Sequence, residues 1–362
     1  MAFTIAGIRY SKLLLGGGIT SGELQTELAD AGNLGSLDLL LSYNYYKRLL
    51  LSFGSPSYNI LDGSEIAKYR YILNTIYIYN LFSTNVVTTM DVKTSAIRTL
   101  SAGQLYYGGG VNDLVSEINW MEKLTSLTTK ALYKHLYITD THTAHSSQLG
   151  SLQGWAGTFE SQDFNYGAWV GGFSSGPTYT TNMSRFNYGT QTSSTVASAV
   201  SGNRVYFSFA QNDDNAWSMG GATSNSIVGT TIIDKITKDT NTKSALGVNM
   251  SQAWGLNATG NSSLSAYTFG GQSSGAFTDL IAKFVYSTET PSTLAEVLSV
   301  DGSSTFASSA PDKMRVGGRY NGSYQSDIDE FTVNTETISV ASYTLGLPTI
   351  SNYVRPAITA GS

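Results

Sequence analysis

All three histidines of the chain, His135, His142 and His145, fall within eleven residues, in the segment YKHLYITDTHTAHSSQ that also carries Asp140. Imidazoles and a carboxylate this close together could ligate a metal, and in a symmetric oligomer such residues could meet on the axis. The polar character of the segment predicts a solvated loop insertion instead, and no metal site is assigned. Asp213 and Asp214 in AQNDDNAW lack the dense alternation of oxygen ligands found in calcium loops, which predicts a turn between strands. Gly16-Gly17-Gly18 follows three leucines but is not followed by Lys-Ser/Thr, so it reads as a bend rather than a phosphate cradle. No nucleophile-elbow motif or acid–base pair accompanies the histidines. The expectation is therefore no catalytic residue, no cofactor and no enzyme.

What remains is a set of aromatic side chains in Gly-, Ser- and Asn-rich loops: Tyr179, Phe277, Tyr320 and Tyr324. Rings displayed among amides and hydroxyls suit the binding of a sugar or a protein, as they do in antibody loops. Solvent-facing turns are the plainer alternative. The five tryptophans, Trp120, Trp155, Trp169, Trp217 and Trp254, mostly sit among small residues in strand-like runs and are expected in the core.

Composition narrows the class of protein. Of 362 residues 41% are hydrophobic, enough to fold, yet only 13% are charged, so the surface must be mostly hydroxyl and amide. A net charge of -5 without a basic cluster argues against nucleic acid. There is no cysteine, which excludes disulfides and thiolate metal sites. No run approaches the roughly 20 apolar residues of a membrane span. The three leucines near the start are too short for the apolar core of a secretion signal, so no exported leader is expected.

The loops are placed by a repeat. An apolar or aromatic residue followed by Gly-Gly recurs as LYYGG at Gly108, AWVGG at Gly171, WSMGG at Gly220, YTFGG at Gly270 and MRVGG at Gly317, at intervals of 63, 49, 50 and 47 residues. A second signature follows each pair: Val115-Ser-Glu-Ile118, Met183-Ser-Arg-Phe186, Ile233-Asp-Lys-Ile236, Ile281-Ala-Lys-Phe284 and Ile328-Asp-Glu-Phe331. Its alternation predicts a half-buried strand. In the last four copies a Thr-x-Thr motif comes next: Thr190/Thr192, Thr240/Thr242, Thr288/Thr290 and Thr335/Thr337. Each unit of about fifty residues holds three or four strands, and the glycine pair ends one of them where the chain bends tightly or a neighbouring backbone comes close.

This period and punctuation resemble the kelch repeat, and more narrowly the kelch-like repeats in structural proteins of tailed marine bacteriophages. The resemblance spans about residues 95 to 350. It lacks the tryptophan of cellular kelch units and has the Thr-x-Thr turn instead. It implies a mainly β chain: a kelch-like β-propeller of about five blades over residues 96–362, with the tail Tyr343–Val354 completing the first blade. A lectin-like sandwich and a β-solenoid are the alternatives.

Residues 1–95 read differently. Ser21-Gly-Glu-Leu-Gln-Thr-Glu-Leu-Ala-Asp30 has the cap and early acids of a short helix. Ser/Thr-punctuated runs follow at Tyr46–Ser52, Tyr58–Ser64, Tyr69–Thr75 and Ile78–Thr84, with the spacing of helical turns. They are similar to the short helical repeats near the N-termini of phage fibre proteins. An ordinary helical bundle, or strands given the β-branched and aromatic content, is the alternative. The resemblance implies a virion structural protein, a fibre, spike or appendage, held to other virion proteins by a helical module at 1–95 as a homotrimer. Its propeller would face a host surface glycan or protein, with no nucleic acid and no membrane insertion. The competing class is a secreted or cell-surface carbohydrate-binding, lectin-like module.

Overall fold

The computed structural model describes residues 2–5 and 8–11, the strand segments between 75 and 148, residues 156–344 apart from short stretches at 162–165, 176–177, 224–226, 304–305, 308–312 and 324, and residues 354–358; side chains are described within 156–342. Every regular element among them is a strand. β1 (Ala2–Ile5) and β2 (Ile8–Ser11) form a hairpin. β3 (Thr75–Asn80), β4 (Val86–Asp91) and β5 (Ile97–Ser101) belong to the first of six four-stranded antiparallel sheets. The second holds β6 (Val111–Asn112), β7 (Glu117–Met121), β8 (Ala131–Leu136) and β9 (Thr141–Gln148).

The third sheet begins with β10 (Gly157–Glu160) and β11 (Tyr166–Val170). A small two-stranded insertion, β12 (Phe173–Ser175) and β13 (Thr178–Tyr179), precedes its last strands, β14 (Met183–Asn187) and β15 (Thr192–Val196). The fourth is β16 (Ser208–Gln211), β17 (Asn215–Met219), β18 (Thr230–Thr237) and β19 (Thr242–Trp254). The fifth is β20 (Ala258–Asn261), β21 (Ser265–Ser273), β22 (Ala276–Val285) and β23 (Thr290–Val297). The sixth is β24 (Phe306–Ala307), β25 (Lys313–Gly317), β26 (Asp327–Thr332) and β27 (Thr337–Thr344). The last strand, β28 (Val354–Ile358), returns to pair with β3 and is the first strand of the first sheet.

The first strands form a closed circuit. β6 touches β10, β10 touches β16, β16 touches β20, β20 touches β24, and β28 touches both β24 and β6. A ring of sheets closed by its own C-terminal strand is a propeller-like arrangement, and closure removes the free inner edges that a linear array would expose. The ring has six sheets where about five were expected. The additional one is built from β3 to β5 and β28. Its β3 runs through Ile78, where the spacing suggested a helical turn; the period-two alternation of TIYIYN prevails. The helix expected at Ser21–Asp30, the turns at Tyr46–Ser52 and Tyr58–Ser64, and all but the last residue of the turn at Tyr69–Thr75 lie outside the described residues.

Four of the five repeat copies are in register. Their second signature is the third strand of a sheet, β14, β18, β22 or β26. The copy at Val115–Ile118 instead runs into β7, a second strand, and its LYYGG lies outside the described residues. The His-bearing segment is a hairpin rather than a loop, with His135 and His142 as backbone partners across β8 and β9. Thr, Ala and Tyr at alternate positions suit a pleated surface as well as a solvated one.

The core lies between neighbouring sheets. Second strands are buried along most of their length, because both faces are covered. Aromatic rings join one sheet to the next: Phe159 meets Phe209 at 5.2 Å, Trp217 stacks on Tyr286 at 5.1 Å, and Tyr267 meets Phe331 at 4.7 Å. Trp169, Trp217 and Trp254 are buried, as expected.

The glycine pair is where the chain entering the next sheet crosses. The second glycine's N–H donates to that chain's carbonyl: Gly172 to Arg204, Gly221 to Trp254 and Gly271 to Gly302, at 3.0, 2.7 and 2.8 Å. At Gly220, where φ is 66°, a Cβ would stand 2.6 Å from the Trp254 carbonyl. The pair therefore answers both to a left-handed backbone and to a close approach.

Candidate functional site

The loops that follow the glycine pairs lie at one end of the sheets, together with the linkers between sheets. In the fifth sheet β21 and β22 extend beyond the pair as a hairpin whose turn residues, Ser274 and Gly275, both have positive φ, 51° and 87°. That is the geometry of a tight hairpin turn matched to strand twist. The hairpin holds Phe277 opposite Gln272, and its tip is fixed to the preceding loop by Ser274 N–H donating to the Ile227 carbonyl at 2.9 Å.

In the sixth sheet the last glycine pair is shifted by one. Gly318 has the φ of 66° found at Gly171 and Gly220, so Arg319 takes the place of a second glycine. Arg319 is fully buried. Its guanidinium donates to Asp329 Oδ2 at 2.5 Å, to Ser299 Oγ at 3.2 Å and to the Val300 carbonyl at 3.3 Å. Asp329 also accepts from Ser299 N–H and Oγ. The next residue, Tyr320, exchanges two 3.0 Å backbone bonds with Ser303. An ion pair with no solvent contact on one side and a backbone bridge on the other thus set the position of Tyr320.

The result is that Phe277 and Tyr320, on different sheets, meet edge to face at 5.9 Å, both half-buried. Around Tyr320 stand Asn321, whose amide donates to Asp301 Oδ1 at 3.2 Å, and Gln325, whose amide donates to Asn321 Oδ1 at 2.9 Å. Of the aromatic residues singled out in the sequence, the structure joins these two. Tyr179 sits apart on β13, backbone partner of Phe173. Tyr324 lies outside the described residues.

Two features of this end were missed in the sequence. Arg319 heads the loop of Tyr320 and Tyr324, for which solvent-facing turns were the plainer expectation, yet it is buried and is the anchor. The same device recurs at Arg204, which is buried against Asp234 and also donates to Ser218 Oγ at 2.9 Å and to the Gly220 carbonyl at 2.5 Å. Burial lowers the Arg204 guanidinium pKa, with Asp234 opposing it. The legible signal was Asp at the second position of the strand signature, present in the two sheets that own a buried arginine and replaced by Ser184 and Ala282 in the others. Asp213 and Asp214 form the expected turn, organised by Asn212 Oδ1 accepting from Asp214 and Asn215 N–H. Among the described residues no group of three His, Cys, Asp or Glu side chains is placed to hold a metal ion.

No protein-family model and no curated protein sequence matches the chain. Among solved structures, one titled "Structure of YjhT" superposes with a TM-score of 0.62, covering 74% of this chain and 95% of that one at 12% identity. At that identity the likeness speaks for the fold alone, which is of the kelch-type, β-propeller-like kind.

Proposed function

We propose that the chain is a display and attachment component of a tailed-bacteriophage particle, a fibre, spike or appendage protein. Its N-terminal module binds other virion proteins as a homotrimer, and its ring of sheets presents the loop end to the host envelope. The reading draws on the kelch-like units with their Thr-x-Thr turns and on a surface poor in charge. The observation that carries the binding role is the Phe277–Tyr320 pair, half-buried and set by the hairpin and the Arg319–Asp329 anchor, with amides alongside. Rings held this rigidly lose little entropy when a ligand covers them.

The same pair favours one other reading, a secreted or cell-surface lectin-like module. Solution mass and a glycan array on the purified full chain separate the two. A mass near three times 38.8 kDa supports the particle component. A monomer with saturable binding to a defined glycan, lost in Phe277→Ala and Tyr320→Ala, supports the lectin. A monomer that binds nothing overturns both.

A further inference from the structure

The loop that joins β25 to β26 carries Tyr320-Asn321-Gly322-Ser323, and Asn-Gly occurs nowhere else in the 362 residues. Asparagine before glycine is chemically exposed in a way that other asparagines are not. Glycine puts no Cβ beside the nitrogen that follows the asparagine, so this nitrogen can close on the side-chain carbonyl carbon.

The structure presents each group that such a ring closure needs. Gly322 and Ser323 are exposed, and Gly322, with φ at 103°, has open space where a Cβ would stand. Its N–H has no hydrogen-bond partner among the described residues, whereas Asn321 N–H donates to the Ser323 carbonyl at 3.2 Å and Gln325 N–H to the Arg319 carbonyl at 2.9 Å. The Asn321 carboxamide is held at both ends. Gln325 Nε2 donates to its Oδ1 at 2.9 Å, with Ser323 Oγ 3.5 Å from the same oxygen, and its Nδ2 donates to Asp301 Oδ1 at 3.2 Å. A donor on Oδ1 draws charge from the carbonyl carbon and stabilises the oxyanion that attack creates. An acceptor on Nδ2 holds the group that must leave. These contacts converge on one exposed turn whose base is the buried Arg319.

We infer that Asn321 is a site of self-modification, converted to aspartate and isoaspartate through a cyclic imide. The Gly322 nitrogen gives its proton to solvent base and bonds to Asn321 Cγ. The Cγ–Nδ2 bond breaks, and Nδ2 takes a proton from solvent and leaves as ammonia. Water then opens the imide. Opening at Cγ restores the main chain and leaves a side-chain carboxylate; opening at the backbone carbonyl carries the chain through Cβ and Cγ and leaves an α-carboxylate. Water is consumed, ammonia is released, and nothing is oxidised or reduced. Either product loses the donor to Asp301 and adds a negative charge beside it, an unfavourable pairing of like charges. Asp301 leads through Gly302 into Ser303, the backbone partner of Tyr320, so the change loosens the support of the Phe277–Tyr320 pair in one direction only. Its effect on a ligand rests on the reading proposed for that pair; the modification itself does not.

The test is to age the purified full chain at mildly alkaline pH and to follow, by mass spectrometry, the tryptic peptide that begins at Tyr320. The peptide should gain the mass of an amide converted to an acid and should contain isoaspartate. Gln325→Ala, which removes the donor on Oδ1, should slow the conversion about fivefold, and Asn321→Gln, with its longer side chain, should stop it. Amide hydrogen exchange at Ser303 and Tyr320 should be faster in the aged chain and in Asn321→Asp than in the fresh chain. The inference is overturned if the native chain keeps Asn321 over the time in which the urea-unfolded chain converts it, if folded Gln325→Ala converts as fast as the parent or faster, or if exchange at Ser303 and Tyr320 is the same in Asn321→Asp as in the fresh chain. Should Gln325→Ala misfold, the comparison of native with unfolded parent decides.

Discussion

Single residues show how narrowly the ring is set. Gly220→Ala forces a Cβ onto the Trp254 carbonyl with φ at 66°, and should cost about 1–3 kcal/mol. Gly247→Ala, in open space on the exposed β19, should change stability by less than about 0.5 kcal/mol. Parallel urea melts of the two variants check both. Asp329→Asn leaves Arg319 buried without its counter-charge, and should cost about 3–5 kcal/mol in the same melts. The tyrosines predict a pH dependence. Burial pushes Tyr166 up to about 12, and raises Tyr267 and Tyr286 as well. An unfolded tyrosine ionises near about 10, so above that pH the unfolded chain gives up protons that the folded one keeps. Stability should be intact below pH of about 10 and fall as pH rises toward 12, with tyrosinate absorbance lagging until the fold is lost.

Among the elements, the Thr-x-Thr turn was visible as a pattern but not as a device. The four Thr-x-Thr pairs are legible by eye, whereas the left-handed residue between them varies, and for three of the four a contact with the preceding sheet accounts for it: Asn241 accepts from Tyr166, Glu289 pairs with Lys235 and Glu336 with Lys283. The position two residues beyond the strand signature was likewise unmarked, since Tyr286 and Val333 look equally at home at the end of an apolar strand. Their difference matters only against Trp217 and Tyr267, which lie 69 and 66 residues upstream. Tyr286→Val should therefore open a cavity over Trp217 at a cost of about 2–4 kcal/mol, read as a drop in melting temperature together with a change in tryptophan emission.

For the whole molecule, the closing contact is β28 on β3, joining two segments of the chain that are some 275 residues apart. A chain ending at residue 345 would leave the β3 edge unpaired and β24 without its neighbour. It should melt at a lower temperature and elute as aggregates in size-exclusion chromatography, since an open inner edge is a template for pairing. By itself the sequence determined the four-stranded unit, because glycine pairs, alternating strands and Thr-x-Thr turns are local requirements of backbone geometry and pleat. It also fixed the low-charge surface and the Phe and Tyr of the loop end. The tertiary structure alone decided that the ring has six sheets, that the C-terminus closes it, that Arg319 is buried beneath Tyr320, and that one interface lacks the ring its neighbour has. Each of these depends on which residues meet across separations of tens to hundreds of positions, and no local pattern encodes such a meeting.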